Sequence, residues 1–206
     1  MTNPSQEQRE QLVQEALQDA MSYSAYATLV EQHAEAGTNT GPDVTEALIN
    51  YTLLSHRRMK RWGKTFKLQQ EDIDQINAFT GDVTWLIITE SWCGDAAQTM
   101  PMMDKIAEAS NGKIQVKVVL RDQNLKLMDA FLTNGARSIA KLIAIDNQTG
   151  KITGEWGPRP SIATQMVNDY KAAHGKLTAE FKQDLQVWYN KDKGRNTTED
   201  ALNLLK

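Results

Sequence analysis

From Val83 onward the chain alternates short β-branched or aromatic runs with stretches of helical period, and this order restricts the fold more than any other feature. Val83–Thr89 reads as a strand. Ala96–Ser110 has helical spacing, with Met100, Met103, Ile106 and Ala107 on the inner face and Asn111-Gly112 as the stop. Ile114–Leu120 is a second strand, and Asn124–Thr133 a helix ended by Asn134-Gly135. Lys141–Asp146 and Lys151–Trp156 form a hairpin about Asn147-Gln148-Thr149-Gly150, and Ser161–Ala173 is a helix stopped by Gly175. The order is β-α-β-α-β-β-α. A helix between the first two strands makes them parallel with a right-handed crossover, whereas the last two are antiparallel. The class is α/β, three-layered, with a central mixed sheet between helices.

Helices flank this unit. Residues 5–35 read as one helix, carrying Leu12, Val13, Ala16, Leu17, Ala20 and Met21 at helical spacing, and residues 37–42 break it. A second helix is expected from near Asp43, with Val44, Ala47, Leu48, Tyr51, Leu54 and Trp62 on one face. Ile73, Ile76 and Phe79 mark a short third helix before Gly81. Leu177–Asn190 is another, with Phe181, Leu185 and Trp188 on its apolar side, and residues 191–206 are polar with a terminal helical turn. The expected division is a helical extension over 1–80, a core over 81–175 and a C-terminal helical extension over 176–206.

The chain has 206 residues, enough to bury a core without staples, and a formal net charge of −3, which supplies no global field for nucleic acid. No apolar run approaches the roughly 18–20 residues of a membrane helix. The polar start of the sequence lacks a signal-peptide layout, so a cytoplasmic location is expected. The single cysteine, Cys93, excludes an internal disulfide. It falls between the Val83–Thr89 strand and the helix that follows, within Glu90-Ser91-Trp92-Cys93-Gly94-Asp95-Ala96.

Several of these residues resemble the thioredoxin family over about residues 83–174. Trp92-Cys93-Gly94 matches the family's Trp-Cys-Gly, and Pro101 matches the proline that kinks the following helix. Gly135–Leu142 resembles its Gly-x-x-x-(Val/Ile)-Pro-Thr-Leu stretch, and Asn147–Ile152 the turn between its last strands. The resemblance implies a thioredoxin-like fold. Three residues depart from it. Ala96 stands at the resolving-cysteine position, Ile87 at that of a buried acid, and Ala140 at that of the cis-proline beside the thiol. Trp-Cys-Gly-Asp-Ala resembles a bacterial subgroup without the second cysteine. A cis bond before a residue other than proline costs about 3–4 kcal/mol, so a trans Ile139–Ala140 peptide is expected.

The resemblance implies Cys93 as the nucleophile, in a groove shaped by Trp92, Gly94, Asp95, Ile139 and Ala140. A helix N-terminus lowers a thiol's pKa, and the Asp95 and Glu90 carboxylates oppose this, which gives the expectation of a moderately activated thiol. With one thiol the resolution step is closed. The function implied is monothiol thiol–disulfide exchange with a protein disulfide or a low-molecular-weight thiol, and an external thiol reductant is then required. The alternative is a redox-inactive binding or interaction module on the same fold, and a peroxide-sensing sulfenic acid is a weaker third reading. Exposure and acidity of Cys93 separate them: a buried sulfur with a raised pKa favours the binding module.

No cofactor, metal, nucleic-acid or membrane partner is expected. His33, His56 and His174 are isolated, and the Cys-Gly-Phe-Ser motif of iron–sulfur monothiol glutaredoxins is missing. The basic run His56–Trp62 reads as a solvated helix face with Trp62 docked inward. Met100, Met102 and Met103 read as core filling, and Trp156–Pro160 as a stiff loop docking the added helices.

Overall fold

The computed structural model describes residues 4–206. The first three residues of the polar start lie outside it. Five strands form one sheet in the order β1-β3-β2-β4-β5: β1 (Met21–Ser22), β2 (Val83–Thr89), β3 (Ile114–Leu120), β4 (Lys141–Asp146) and β5 (Ile152–Trp156). β2 pairs parallel with β3 from Val83↔Ile114 to Thr89↔Leu120, and antiparallel with β4 from Val83↔Asp146 to Ile88↔Lys141. β4 and β5 make the expected hairpin. All seven residues of β2 are buried, as its uninterrupted apolar run requires of a strand covered on both faces.

Nine helices are present among the described residues: α1 (Gln6–Gln18), α2 (Tyr23–Ala36), α3 (Glu46–Thr65), α4 (Gln70–Ala78), α5 (Gly94–Ala109), α6 (Leu125–Ala130), α7 (Ser161–His174), α8 (Ala179–Asp192) and α9 (Arg195–Asn203). The single helix expected over 5–35 is two. The chain leaves α1 at Asp19, adds β1 antiparallel to β3, and restarts at Ser22, whose side chain accepts the Ala25 N–H. The helix expected over 124–133 ends at Ala130 and is preceded by a 3₁₀ turn at Arg121–Gln123.

Two other expectations need correction. Val44, Tyr51 and Leu54 point to solvent, and the face that α3 buries carries Thr52, Ser55, Met59 and Trp62. Part of that face is polar because it meets a polar loop: Thr52 and Ser91 share a hydroxyl–hydroxyl hydrogen bond of 2.9 Å. The polar tail after residue 190 holds a full helix, α9, with Asn196, Thr197, Thr198, Ala201 and Leu202 buried. α9 is tied to α4 by Arg195, which grips Asp72 through two bonds of 2.7 Å.

The main apolar core runs from Val13 through Trp85, Ile87, Met100, Ile106 and Leu142 to Leu202. Met100 and Met103 fill it as expected, and Met102 packs with Trp62 and Phe66. α7 and α8 pack on one another in a separate cluster of Ala163, Val167, Phe181, Leu185 and Tyr189. Trp156 docks an added helix, its indole N–H donating to Asp200 of α9, whereas Arg159 pairs with Asp95 of the core helix α5.

Candidate functional site

β2 ends at Thr89, and four residues later Cys93 becomes the N-cap of α5. Two bonds set the turn between them. The Cys93 N–H donates to the Glu90 carbonyl at 3.0 Å, and the buried Tyr26 hydroxyl donates to the same carbonyl at 3.0 Å. The Cys93 Sγ accepts the Ala96 N–H at 3.4 Å, taking up one of the free donors at the helix start. Ala96, at the position of the missing second thiol, is fully buried.

The turn is tied to the N-terminal helices by a buried polar network. The Thr40 hydroxyl donates to the Glu90 carboxylate, whose other oxygen accepts the Asp122 N–H at 2.9 Å. The Thr40 N–H donates to Ser91 Oγ at 2.9 Å, and the Trp92 indole N–H reaches the Thr40 carbonyl at 3.2 Å. The Arg121 guanidinium lies over the Trp92 ring. Burial pushes the Glu90 carboxyl up from its usual range, and the Thr40 and Asp122 donors only partly offset it. Glu90 thus spends its carboxylate on Thr40 and Asp122.

Asp95 is expected from the sequence to oppose the ionisation of the thiol. Cys93 caps the helix, and Asp95 is clamped from two distant segments. Arg159 pairs with one of its oxygens at 2.8 Å, and the Tyr189 hydroxyl of α8 donates to the other at 3.0 Å. Burial raises the Asp95 pKa, while Arg159, Tyr189 and Arg58 pull the other way. Arg58 of α3 lies over Gly94, with its Nη1 3.3 Å from where a Cβ on that glycine would stand.

Cys93 lies in the main core and is only 5% exposed. Burial first, and then the Asp95 charge, push its thiol up to about 12, against the backbone donors of the helix start. The expectation of a moderately activated thiol is corrected. It counted the helix terminus but not the desolvation of a sulfur buried in the main core, where Tyr26 of α2 and Tyr189 of α8 both stand close enough to feel its charge.

The sheet register carries Ile139 and Ala140 to the same end of the fold. They precede β4, whose first residue, Lys141, pairs with Ile88 at the end of β2. Both are buried. The Ile139–Ala140 peptide is cis, which corrects the trans expectation. That expectation weighed only the local preference and not the tertiary contact at this segment, where a Cβ on Gly157 would collide with the Ala140 carbonyl oxygen. A cleft of about 650 Å³ lies elsewhere, between the end of α3 and the α8–α9 junction, lined by residues that include Arg61, Trp62, Lys67, Lys193 and Arg195.

Among the described residues no group of three or more His, Cys, Asp or Glu side chains is placed to hold a metal ion, and no helix is long and apolar enough to cross a membrane. Sequence reasoning missed Arg58, Thr40, Arg159 and Tyr189 as parts of the thiol's surroundings. Of these, Arg58 and Arg159 fell inside segments already marked as unusual, the basic run and the stiff loop, whereas Thr40 and Tyr189 carried no signal.

No curated protein matches the chain. Two solved structures are similar at 11% identity: an HIV epitope-scaffold, covering 92% of this chain and 94% of its own with a TM-score of 0.62, and a protein of unknown function from Pseudomonas aeruginosa, covering 91% and 92% with a TM-score of 0.58. At that identity they speak for the fold alone. The thioredoxin family model matches residues 41–171, more than half of the chain, and it spans the whole of the sheet apart from β1. With the strand order and the Trp92-Cys93-Gly94 turn, this match shows that the chain belongs to the thioredoxin family.

Proposed function

We propose that this protein is a thioredoxin-fold binding module of the bacterial subgroup without a resolving cysteine, working in the cytoplasm with its one thiol redox-silent at rest. The burial of Cys93 in the main core, beside an Asp95 held by Arg159 and Tyr189, carries this reading. A thiol held near 12 rather than at its ordinary 9.0 presents about a thousandfold less thiolate at neutral pH, and the thiolate is the nucleophile. Ala96 leaves nothing to resolve a mixed disulfide within the chain. The position 87 acid, which would have moved a proton during resolution, is a fully buried isoleucine.

One observation favours monothiol exchange as a second reading. Cys93 caps α5 and already accepts a backbone N–H, so the sulfur would gain anion stabilisation if its cover were removed. Its thiolate would then attack one sulfur of a protein or low-molecular-weight disulfide, that S–S bond would break, and the other sulfur would leave as thiolate. An external thiol would release the mixed disulfide.

Incubation with glutathione disulfide near neutral pH, read by intact mass, tests the proposal. The folded protein is expected to gain adduct at least about a hundredfold more slowly than a cysteine peptide, and to gain it fully in urea. An adduct forming at the peptide's rate without denaturant would overturn the reading in favour of exchange.

A further inference from the structure

The α7–α8 hairpin is built unlike the rest of the fold. Its apolar side chains pack on one another: Ala163 and Val167 of α7 against Phe181, Leu185 and Tyr189 of α8, apart from the main core. The side-chain hydrogen bonds that hold α8 to the rest are polar and few. Gln98 donates to Gln186 at 2.9 Å, Tyr189 donates to Asp95 at 3.0 Å, and Arg61 donates to Asn190 at 2.7 Å. The N-terminal end of the hairpin is anchored more firmly. The Ser161 N–H donates to Asp200 at 2.6 Å, and the Ile162 N–H to Asn196 at 2.9 Å, both on α9. α8 in turn runs straight into α9 through Lys193-Gly194, and its Asp192 accepts the Asn196 N–H at 3.2 Å, so the start of α7 and the end of α8 are both held on α9. A unit with its own small core, both chain ends tied to one helix and a polar docking face is the kind that opens below the global unfolding free energy.

The docking face of α8 reaches Asp95, two residues from the thiol. Tyr189 is itself 2% exposed, and its hydroxyl is close enough to Cys93 and Asp95 for both to push its ionisation up. We infer that the α7–α8 hairpin is a cover beside Cys93, which opens by local unfolding ahead of its α9 anchors, releases the Tyr189–Asp95 and Gln98–Gln186 bonds, and uncovers the sulfur while the sheet stays folded. The inference rests on the reading of a thiol covered at rest and adds which part of the chain does the covering. Opening also frees the Asp95 carboxylate from the Tyr189 hydroxyl, leaving Arg159 as its partner.

Native-state labelling tests this. Cys93 alkylation by iodoacetamide and backbone hydrogen exchange are measured together on the full chain at urea concentrations below the unfolding transition. Cys93 labelling and α8 exchange are expected to share one shallow urea dependence, while β2 and β4 amides keep the steep dependence of global unfolding. Tyr189→Phe, which keeps the ring and removes the bond to Asp95, should speed both by about five- to tenfold, and Gln186→Ala should move both in the same direction. Cys93 labelling with the steep slope of the sheet would overturn the cover, as would variants that speed α8 exchange without speeding alkylation. The slope reports which unit opens, whereas the silent-thiol reading depends on adduct formed without urea, so the two fail separately.

Discussion

Raising the pH should destabilise this protein through Cys93 over a defined window. The thiol's ordinary value is 9.0 and in the fold it is pushed up to about 12, by burial first and by Asp95 second. Below about pH 9 both folded and unfolded chains hold the proton, and the group contributes no pH dependence. Between about 9 and 12 the unfolded chain releases the proton and the folded chain keeps it, so stability falls as pH rises. Integrating between these values gives a loss of about 2 kcal/mol at about pH 10.5, and about 4 kcal/mol once both forms have ionised. The assay is urea unfolding at several pH values for the wild type beside Cys93→Ser. Tyr23, also pushed up by burial, titrates in both proteins and cancels in the difference, whereas Tyr26 and Tyr189 also feel the Cys93 charge, so the comparison is read at about pH 10.5, where the folded thiol still holds its proton. The gap between the two should shift by about 2 kcal/mol against the wild type from about pH 7 to about pH 10.5. A gap constant to within a few tenths, or one moving the other way, would refute the claim that burial dominates the thiol's ionisation.

Other outcomes follow from the packing around the site. Asp72→Ala should cost about 2–3 kcal/mol in urea unfolding, discounted for the partial exposure of Arg195, because it removes the two Arg195 bonds and the Gln69 N–H bond at the start of α4. Burial alone would raise the Asp72 pKa, but Arg195 and Gln69 outweigh it and hold it below the ordinary 3.8. Its stabilisation is therefore present above that value and is lost as pH falls through the folded one, and the wild-type advantage over Asp72→Ala should shrink in acid. Gly157→Ala should cost about 3 kcal/mol or more, because φ is +116° and a Cβ there would collide with the Ala140 carbonyl oxygen. A loss below about 1 kcal/mol would show that the 139–141 segment can yield.

The sheet was legible because its strands are apolar runs with clear turns at both ends. β2 and β3 begin and end where the sequence places them, and β4 with β5 forms the hairpin expected at Asn147–Gly150. The helices were less so where burial is polar. The inner face of α3 carries Thr52 and Ser55, and α9 buries Asn196, Thr197 and Thr198, so neither shows the apolar stripe that periodicity detects. β1 has two residues, too few for any alternation. At the site, the Trp92-Cys93-Gly94 turn and a helix after it could be read from local sequence, although the helix starts at Gly94 rather than at the expected Ala96. The protonation state of Cys93 could not, because it is set by contacts such as Tyr189 to Asp95, 94 positions apart. Local sequence gives the helix terminus that would acidify a thiol; only tertiary structure gives the cover that outweighs it.

Direct titration of the thiolate by its ultraviolet absorbance, on the folded protein and with Cys93→Ser as the baseline, tests the central claim without requiring any reagent to reach the sulfur. No Cys93-dependent absorbance is expected at pH values where a free cysteine, near 9.0, is half ionised, and the rise should come toward 12 or with alkaline unfolding. A Cys93-dependent half-point at or below about 8.5 in the folded state would mean an activated thiolate, and the silent binding module would give way to monothiol exchange.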